Sequence, residues 1–317
     1  MSDISGPARS AQSAHGILFL VAGIAVFAVQ DLILKLLSGT YPLHQAMVLR
    51  SLTAAPLLLI LVQLNGGIRT LFTPGLRAMI GRGFIMFLAY TSYYLALAAL
   101  PMPTTVALYF VAPLFITVLS VVMLGETVAP RRWIAVLAGF AGVVIMMRPG
   151  SDLFDWAAPL AAMSGMTYSI SMVAARRMGQ VETAAALAFW GNAVFLLCAL
   201  ILSGIFGSGN FEGAGHKSLA FMMRGWVWPT GFDTMLMMVC GVIAAAGLTL
   251  LTQAYRISEA SVVAPFEYTA LIWGVLYGWI FWSDWPDVVG WIGIAIIVGT
   301  GLFVIFLEHL ETHIARA

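Results

Sequence analysis

Charge is what this 317-residue chain has least of. Lysine, arginine, aspartate and glutamate together make up 9% of it, against about 25% in soluble domains. With 61% apolar residues and a mean hydropathy of +0.97, a water-exposed fold would have to present mostly hydrocarbon to solvent. A soluble globular protein is thereby excluded. The net charge of +1 gives no electrostatic case for nucleic acid. Cysteine is scarce too: Cys198 and Cys240 sit in apolar runs without a CxxC or a histidine at ligand spacing, so neither a disulfide framework nor a zinc site is implied. GxxxxGK[ST], GxGxxG and HExxH are all missing, which removes nucleotide-hydrolysis and metalloprotease chemistry. No cofactor is called for. The five histidines, His15, His44, His216, His309 and His313, fall at segment ends or in loops, which leaves an intramembrane enzyme or an assembly protein only a remote alternative.

Apolar runs fill the rest. A helix crosses a bilayer core with about 20 apolar residues, and ten segments meet that length: roughly 17–37, 43–63, 78–99, 104–124, 131–148, 156–176, 184–206, 232–254, 260–281 and 287–307. The expected class is an all-α integral membrane protein with ten transmembrane helices, flanked by tails 1–16 and 308–317. The first run continues to Leu37 with no small-x-small cleavage site behind it, so it reads as a retained span rather than a signal peptide. With a cytoplasmic N-terminus, Arg9, Arg69, Arg77, Arg82, Arg131, Arg132, Arg176, Arg177, Arg256 and Arg316 fall inside, and only Arg148, Lys217 and Arg224 outside. The positive-inside rule therefore puts both termini in the cytoplasm.

The chain also repeats. Residues 92–147 lie over 250–305 without a gap at an offset of 158, so that Glu126 meets Asp284 and Trp133 meets Trp291. Upstream, an offset of 141 puts Lys35 on Arg176 and Arg50 on Gly191, and the 17-residue surplus falls in Gly207–Gly231. Five spans per half is an odd number, so the second copy enters the membrane from the opposite face. Inverted repeats of this kind let two halves alternate access around one midplane site.

On this layout the sequence resembles the EamA-type permeases of the drug/metabolite transporter superfamily. The resemblance rests on FVAPLFITVLSVVMLGETVAPRRW with GFAGVVIMMRPG in the first half, and on YTALIWGVLYGWIFWSDWP with GWIGIAIIVGTGL in the second. It implies two EamA-like five-helix repeats, 17–148 and 156–307, in a multi-pass protein of the bacterial inner membrane. Leu271 stands where the first half has Pro113, and Ser283-Asp284 replaces the Gly-Glu pair. The expectation is that span four kinks at Pro113 while span nine runs straighter.

Four ionisable groups fall at membrane depth, where each costs about 2.5–3.5 kcal/mol and needs a partner or a purpose: Asp31, Lys35, Arg50 and Glu267. By helix rise, Asp31 and Arg50 reach nearly the same height, so an ion pair between spans one and two is easy, and Lys35 lies one turn above Asp31. Two readings stand: a structural cluster that fixes helix packing, or a cavity-facing cluster that meets a charged substrate. Glu267, two residues after Pro265, is either a proton-carrying site acid or a carboxyl bonded to Gln253 or Thr252. Among aromatics at depth, Tyr109, Tyr168, Trp190 and Tyr268 are candidate cavity linings, whereas Trp133, Trp226, Trp228, Trp282 and Trp285 suit interfacial belts. Asn192 can bond a ligand or a neighbouring helix. Gly139–Gly142 and Ala244–Gly247 predict close helix contacts, with spans five and ten as edge scaffold.

The expected function is secondary transport of a small polar metabolite, favoured as an amino-acid-like or other amine-bearing zwitterion. Its candidate site is Asp31, Arg50, Tyr109, Tyr168, Trp190, Asn192, Glu267 and Tyr268, with Pro113 and Pro265 as hinges. The competing reading is a proton-coupled exporter of cationic or aromatic toxic compounds, with Glu267 or Asp31 taking cation and proton in turn. The implied partners are the substrate, the lipid bilayer and, in the coupled reading, protons, around a monomer or weak dimer.

Overall fold

The computed structural model describes residues 7–125, 130–147, 154–179, 181–213, 215–258 and 263–314, and every regular element among them is helical. The helices are α1 (Pro7–Leu37), α2 (Leu43–Leu64), α3 (Leu76–Ala99), α4 (Met102–Tyr109), α5 (Val111–Leu124), α6 (Pro130–Met147), α7 (Ala157–Met178), α8 (Ala184–Phe206), α9 (Lys217–Met223), α10 (Gly231–Ile257), α11 (Thr269–Trp282) and α12 (Val288–Ile314). Two 3-10 turns, Ile68–Leu71 and Ala264–Tyr268, precede α3 and α11. Five stretches are long and apolar enough to cross a membrane: Ala14–Leu37, Leu43–Leu64, Met102–Leu124, Ala184–Phe206 and Gly231–Ile257. Helices α3 and α7 match them in length but not in hydropathy. Their tyrosines, their serines and Arg82 are buried or half-buried in the bundle, and such a helix need not be apolar all round.

Several elements depart from the expected boundaries. Helix α1 begins at Pro7, well before residue 17, and α12 runs to Ile314, because a helix once formed continues through polar residues beyond the core. Arg82 is not a loop charge: it lies inside α3 and is 4% exposed. Glu126, Arg148 and Arg316 lie outside the described residues, as do the side chains of Arg9, Arg131 and Arg132.

Small residues set the packing. Helix α1 lies on α10, where a Cβ on Gly247 would stand 2.5 Å from the Phe27 ring and one on Gly23 2.9 Å from Leu251. Helix α6 lies on α12 through Gly139, Gly142 and Gly293, and exposes Ile134 and Leu137 on its far side. The glycine runs expected to bring helices together do so, and the α6–α12 pair is peripheral. The predicted belt residues Trp133, Trp226, Trp228 and Trp285 are exposed, Trp228 almost fully.

Several element ends recur at the offsets found in the sequence. Helices α5 and α11 each have 14 residues and both of their ends are offset by 158. They finish on left-handed residues, Gly125 (φ 70°) and Ser283 (φ 54°), the second without the freedom a glycine has there. Helices α6 and α12 start at that same offset, and α1 and α7 end, and α2 and α8 begin, at an offset of 141.

One end of the bundle is capped by the segment that carries the surplus. Gln45 both donates to the Val227 carbonyl (2.7 Å) and accepts from the Val227 amide (3.1 Å). Ser218, on α9, donates to the Leu95 carbonyl (2.7 Å), and Arg224 donates to the carbonyls of Ser38 and Tyr41 (3.1 and 3.3 Å).

Candidate functional site

The centre of the bundle is broken rather than continuous. Helices α4 and α5 are separated at Phe110 (φ −68°, ψ 6°). Pro113 has no N–H to give the Tyr109 carbonyl one turn back, and the gap is filled by α7: a Cβ on Gly165 would stand 2.4 Å from that carbonyl oxygen. Ser169 then donates to the Ala112 carbonyl at 2.8 Å. The second half is interrupted as well, contrary to the straighter span nine expected there. Its 3-10 turn Ala264–Tyr268 gives way to α11 at Thr269, so a proline ahead of the break, Pro265, accompanies the interruption where none follows it. The side chain of Pro265 lies outside those described.

These two breaks flank a cavity of about 80 Å³. Its aromatic wall is Phe27, Tyr90, Tyr93, Tyr109 and Tyr168, its apolar wall includes Ile24, Val106, Leu251 and Gly274, and it holds two carboxylates, Asp31 and Glu267. Glu267 is 2% exposed and accepts hydrogen bonds from the hydroxyls of Tyr168 (3.0 Å) and Tyr255. The Tyr109 ring packs edge-on against Tyr168, centroids 5.4 Å apart. Asp31 accepts from the Tyr93 hydroxyl at 3.0 Å. Among the described residues, no lysine or arginine nitrogen lies within ion-pair distance of either acid; the imidazole of His216 lies 3.0 Å from an Asp155 oxygen, away from the cavity. The cavity thus offers two carboxyl groups set in phenol rings.

The structure brings four of the expected site residues to this cavity, Asp31, Tyr109, Tyr168 and Glu267, and sends the others elsewhere. Arg50 makes no ion pair with Asp31. Its Nε donates to Gln30 Oε1 at 3.0 Å, and its guanidinium carbon lies 4.8 Å from the Phe195 ring centre and 5.8 Å from that of Tyr90. Successive residues on a helix point about 100° apart, so Gln30 faces α2 while Asp31 faces the cavity. Lys35 leaves the cluster altogether. It donates to the carbonyls of Leu97 (2.8 Å) and Leu100 (2.6 Å) at the end of α3, where a cation complements the helix dipole, and it lies over the Trp282 ring.

Trp190 is turned to the loop before α3, donating to the Leu71 carbonyl at 3.0 Å. Asn192 donates to the Ser51 carbonyl at 3.0 Å and ties α8 to α2. Tyr268, next to Glu267 and therefore on another face, packs edge-on against Phe110 and lines an apolar groove with Trp279, Trp285 and Trp291. Neither Gln253 nor Thr252 is the partner of Glu267; the Thr252 hydroxyl accepts instead from Arg82 at 3.4 Å.

Sequence reasoning missed three participants. Tyr255 lies one residue past the expected span 232–254, but α10 continues to Ile257. Gln30 was overlooked beside the charged Asp31. Arg82 was counted among loop charges, yet it donates to the Ser171 carbonyl (3.0 Å), the Leu187 carbonyl (3.3 Å) and Thr252, joining α3 to α7, α8 and α10. The signal in the sequence was that Arg82 falls inside the expected span 78–99.

Comparison with known proteins fits this geometry. The model of the EamA-like transporter family matches residues 14–148. The chain is 31% identical over 208 residues to a riboflavin transporter of Rhizobium johnstonii, covering 66% of this chain and 63% of that protein. It is 24% identical over 227 residues to an S-adenosylmethionine uptake transporter of Rickettsia prowazekii, covering 72% and 71%. The pseudopaline exporter CntI of Pseudomonas aeruginosa is 25% identical over 285 residues, covering 89% and 93%. A crystal structure superimposes with a TM-score of 0.66 at 19% identity over 92% of this chain and 98% of the other, which is a likeness of fold.

Proposed function

Because the chain belongs to the drug/metabolite transporter superfamily, we propose that it is a secondary transporter of a small amine- or other cation-bearing metabolite with a planar ring. It works by alternating access around the central cavity. The observation that carries this reading is the pair of carboxylates, Asp31 and Glu267, in one tyrosine-walled cavity with no cation bonded to either. A buried carboxylate bonded only to phenols is poorly compensated. A cationic substrate supplies the missing charge, and aromatic faces attract both cations and flat rings. The relatives named for riboflavin and S-adenosylmethionine handle molecules with flat ring systems. At about 80 Å³ the cavity is below the few hundred Å³ that a metabolite fills, so the helices part to admit one.

The transport architecture is ten crossings in two inverted five-helix repeats, 17–148 and 156–307, with both termini cytoplasmic and the bacterial inner membrane as the site. The matching lengths and ends of α5 and α11 support it, as does the exchange symmetry of the packing: α1 on α10 corresponds to α3 on α7, and α2 on α10 to α3 on α8. Broken helices beside the site suit alternating access.

A second reading, export of cationic compounds against protons, draws on the same two acids, since an uncompensated carboxylate can exchange a proton for a cation. In proteoliposomes, cation flux driven by an imposed pH gradient favours this version, and gradient-insensitive exchange excludes it.

The test of the main reading uses purified protein screened for thermal stabilisation by a metabolite library that includes S-adenosylmethionine and riboflavin, since a ligand stabilises the state it binds. Uptake of the strongest hit is then measured in vesicles. Glu267→Gln and Asp31→Asn are each expected to lower uptake at least about 10-fold while membrane insertion stays normal; normal uptake in both variants overturns the site.

A further inference from the structure

Near the cavity sits a cation that no carboxylate oxygen among the described residues bonds, although Asp31 is close enough to act on it electrostatically. Arg50 is 1% exposed. Of its donors only Nε is used, by Gln30, and the two terminal nitrogens, Nη1 and Nη2, are buried without a hydrogen-bond partner. Gln30 is committed on its other side to the Tyr94 hydroxyl, so it cannot turn to serve them. The guanidinium is held between the rings of Phe195 and Tyr90. A stacked ring compensates part of a buried charge but none of the unmade hydrogen bonds, which are costly at this depth. Arginine presents these donors as a planar fork whose natural complement is a carboxylate or phosphate.

Tyr90 links that fork to the cavity. Its ring centre lies 5.8 Å from the Arg50 guanidinium carbon, and the same residue lines the cavity. Among the described residues nothing hydrogen-bonds its hydroxyl; its ring is held by packing against Phe27, Tyr94 and Phe195. Tyr93 and Tyr168, by contrast, are latched to the two acids. The wall is therefore pinned at the two carboxyl groups and unpinned beside the arginine.

We propose that Arg50 is a second binding pole, an anion subsite beside Tyr90 that takes the carboxylate of a substrate whose cationic group lies against Asp31 and Glu267. Rotation of Tyr90 joins the subsite to the cavity, and the incoming carboxylate meets the two unused guanidinium nitrogens. The preferred substrate class is then a zwitterion carrying a carboxylate and a separate cationic centre. This rests on the cationic-substrate reading of the cavity and extends it.

A matched pair of probes tests it: S-adenosylmethionine and its decarboxylated analogue, which share the adenine ring, sulfonium and amine and differ by one carboxylate. Binding of each is measured to the purified wild-type protein and to Arg50→Leu and Arg50→Lys. Wild type is expected to bind the carboxylate-bearing probe about 10-fold more tightly or better. Arg50→Leu should abolish that ratio while keeping affinity for the decarboxylated probe, which also shows that the variant is folded. Arg50→Lys, a point charge without the fork, should restore part of the ratio. The proposal is overturned by a wild type that does not prefer the carboxylate, by a preference that survives Arg50→Leu, or by equal loss of both affinities in that variant. If the decarboxylated probe binds but the carboxylate adds nothing, the anion subsite falls and the cationic-site reading stands; if neither probe binds wild type, both fall.

Discussion

Three buried charged side chains in this protein are treated in three ways. Glu267 is bonded by phenols and faces the cavity, Arg50 is stacked between rings, and Arg82 is spread over two carbonyls and a hydroxyl on three helices. Among the described residues no carboxylate pairs with Arg82, and its desolvation is offset there by dipoles. A lysine there would keep the charge and lose the fork, whereas methionine would remove both the bonds and the buried charge. We therefore expect Arg82→Lys to be the more destabilising of the two, by about 2 kcal/mol relative to Arg82→Met, visible as a lower melting temperature of the purified protein. The reverse order would mean that the charge itself, rather than the three-helix clasp, is what the fold uses. At this scale the sequence was legible by residue type and blind to direction. It singled out Asp31, Arg50 and Glu267 because any ionisable group at depth is conspicuous. Whether Asp31 or Gln30 faces Arg50 depends on 100° steps around α1, which an estimate of height does not contain.

At the scale of elements, the interruption of the α4–α5 span is the feature that positions the site. Pro113 frees the Tyr109 carbonyl and Gly165 lets α7 close on it. Gly165→Ala would put a methyl group 2.4 Å from that oxygen and 2.7 Å from Val111, and backbone cannot give way as a flexible side chain does. The expected cost is about 1–3 kcal/mol, with a loss of transport because Tyr109 and Tyr168 are displaced. Gly191→Ala on α8 is the control, since nothing lies within 4 Å of a Cβ there; it should be neutral or stabilising by up to about 1 kcal/mol. Melting temperatures of the two variants separate the cases. The sequence pointed to Pro113 and to the small-residue pairs Gly139–Gly142 on α6 and Ala244–Gly247 on α10, because proline and small residues carry their backbone consequences with them. It misjudged the second break, where a 3-10 turn forms without a proline at the matching position.

For the whole molecule, the offsets that relate α5 to α11 and α6 to α12 make a topological prediction. If the second half is inverted relative to the first, the left-handed ends Gly125 and Ser283 lie on opposite sides of the membrane. With Cys198→Ala and Cys240→Ala as background, single cysteines at these two positions should react with a membrane-impermeant maleimide from opposite faces, Gly125→Cys from the cytoplasm and Ser283→Cys from outside. Labelling of both from one side would defeat the inverted arrangement.

Composition and periodicity alone determined that the chain is an all-helical membrane protein, because scarce charge and runs of apolar residues leave no other solvent for it. They also yielded the offsets between the halves and the short roster of buried ionisable groups. The tertiary structure alone decided which of those groups share a cavity. Trp190, Asn192 and Tyr268 lie at fitting depths yet turn to a loop, a neighbouring helix and an apolar groove. Arg50 ends up against Tyr90, a wall residue, without lining the cavity itself. Depth is a property of position along a helix and can be counted in residues; facing is set by which neighbours the helix meets, and only the packed bundle fixes that.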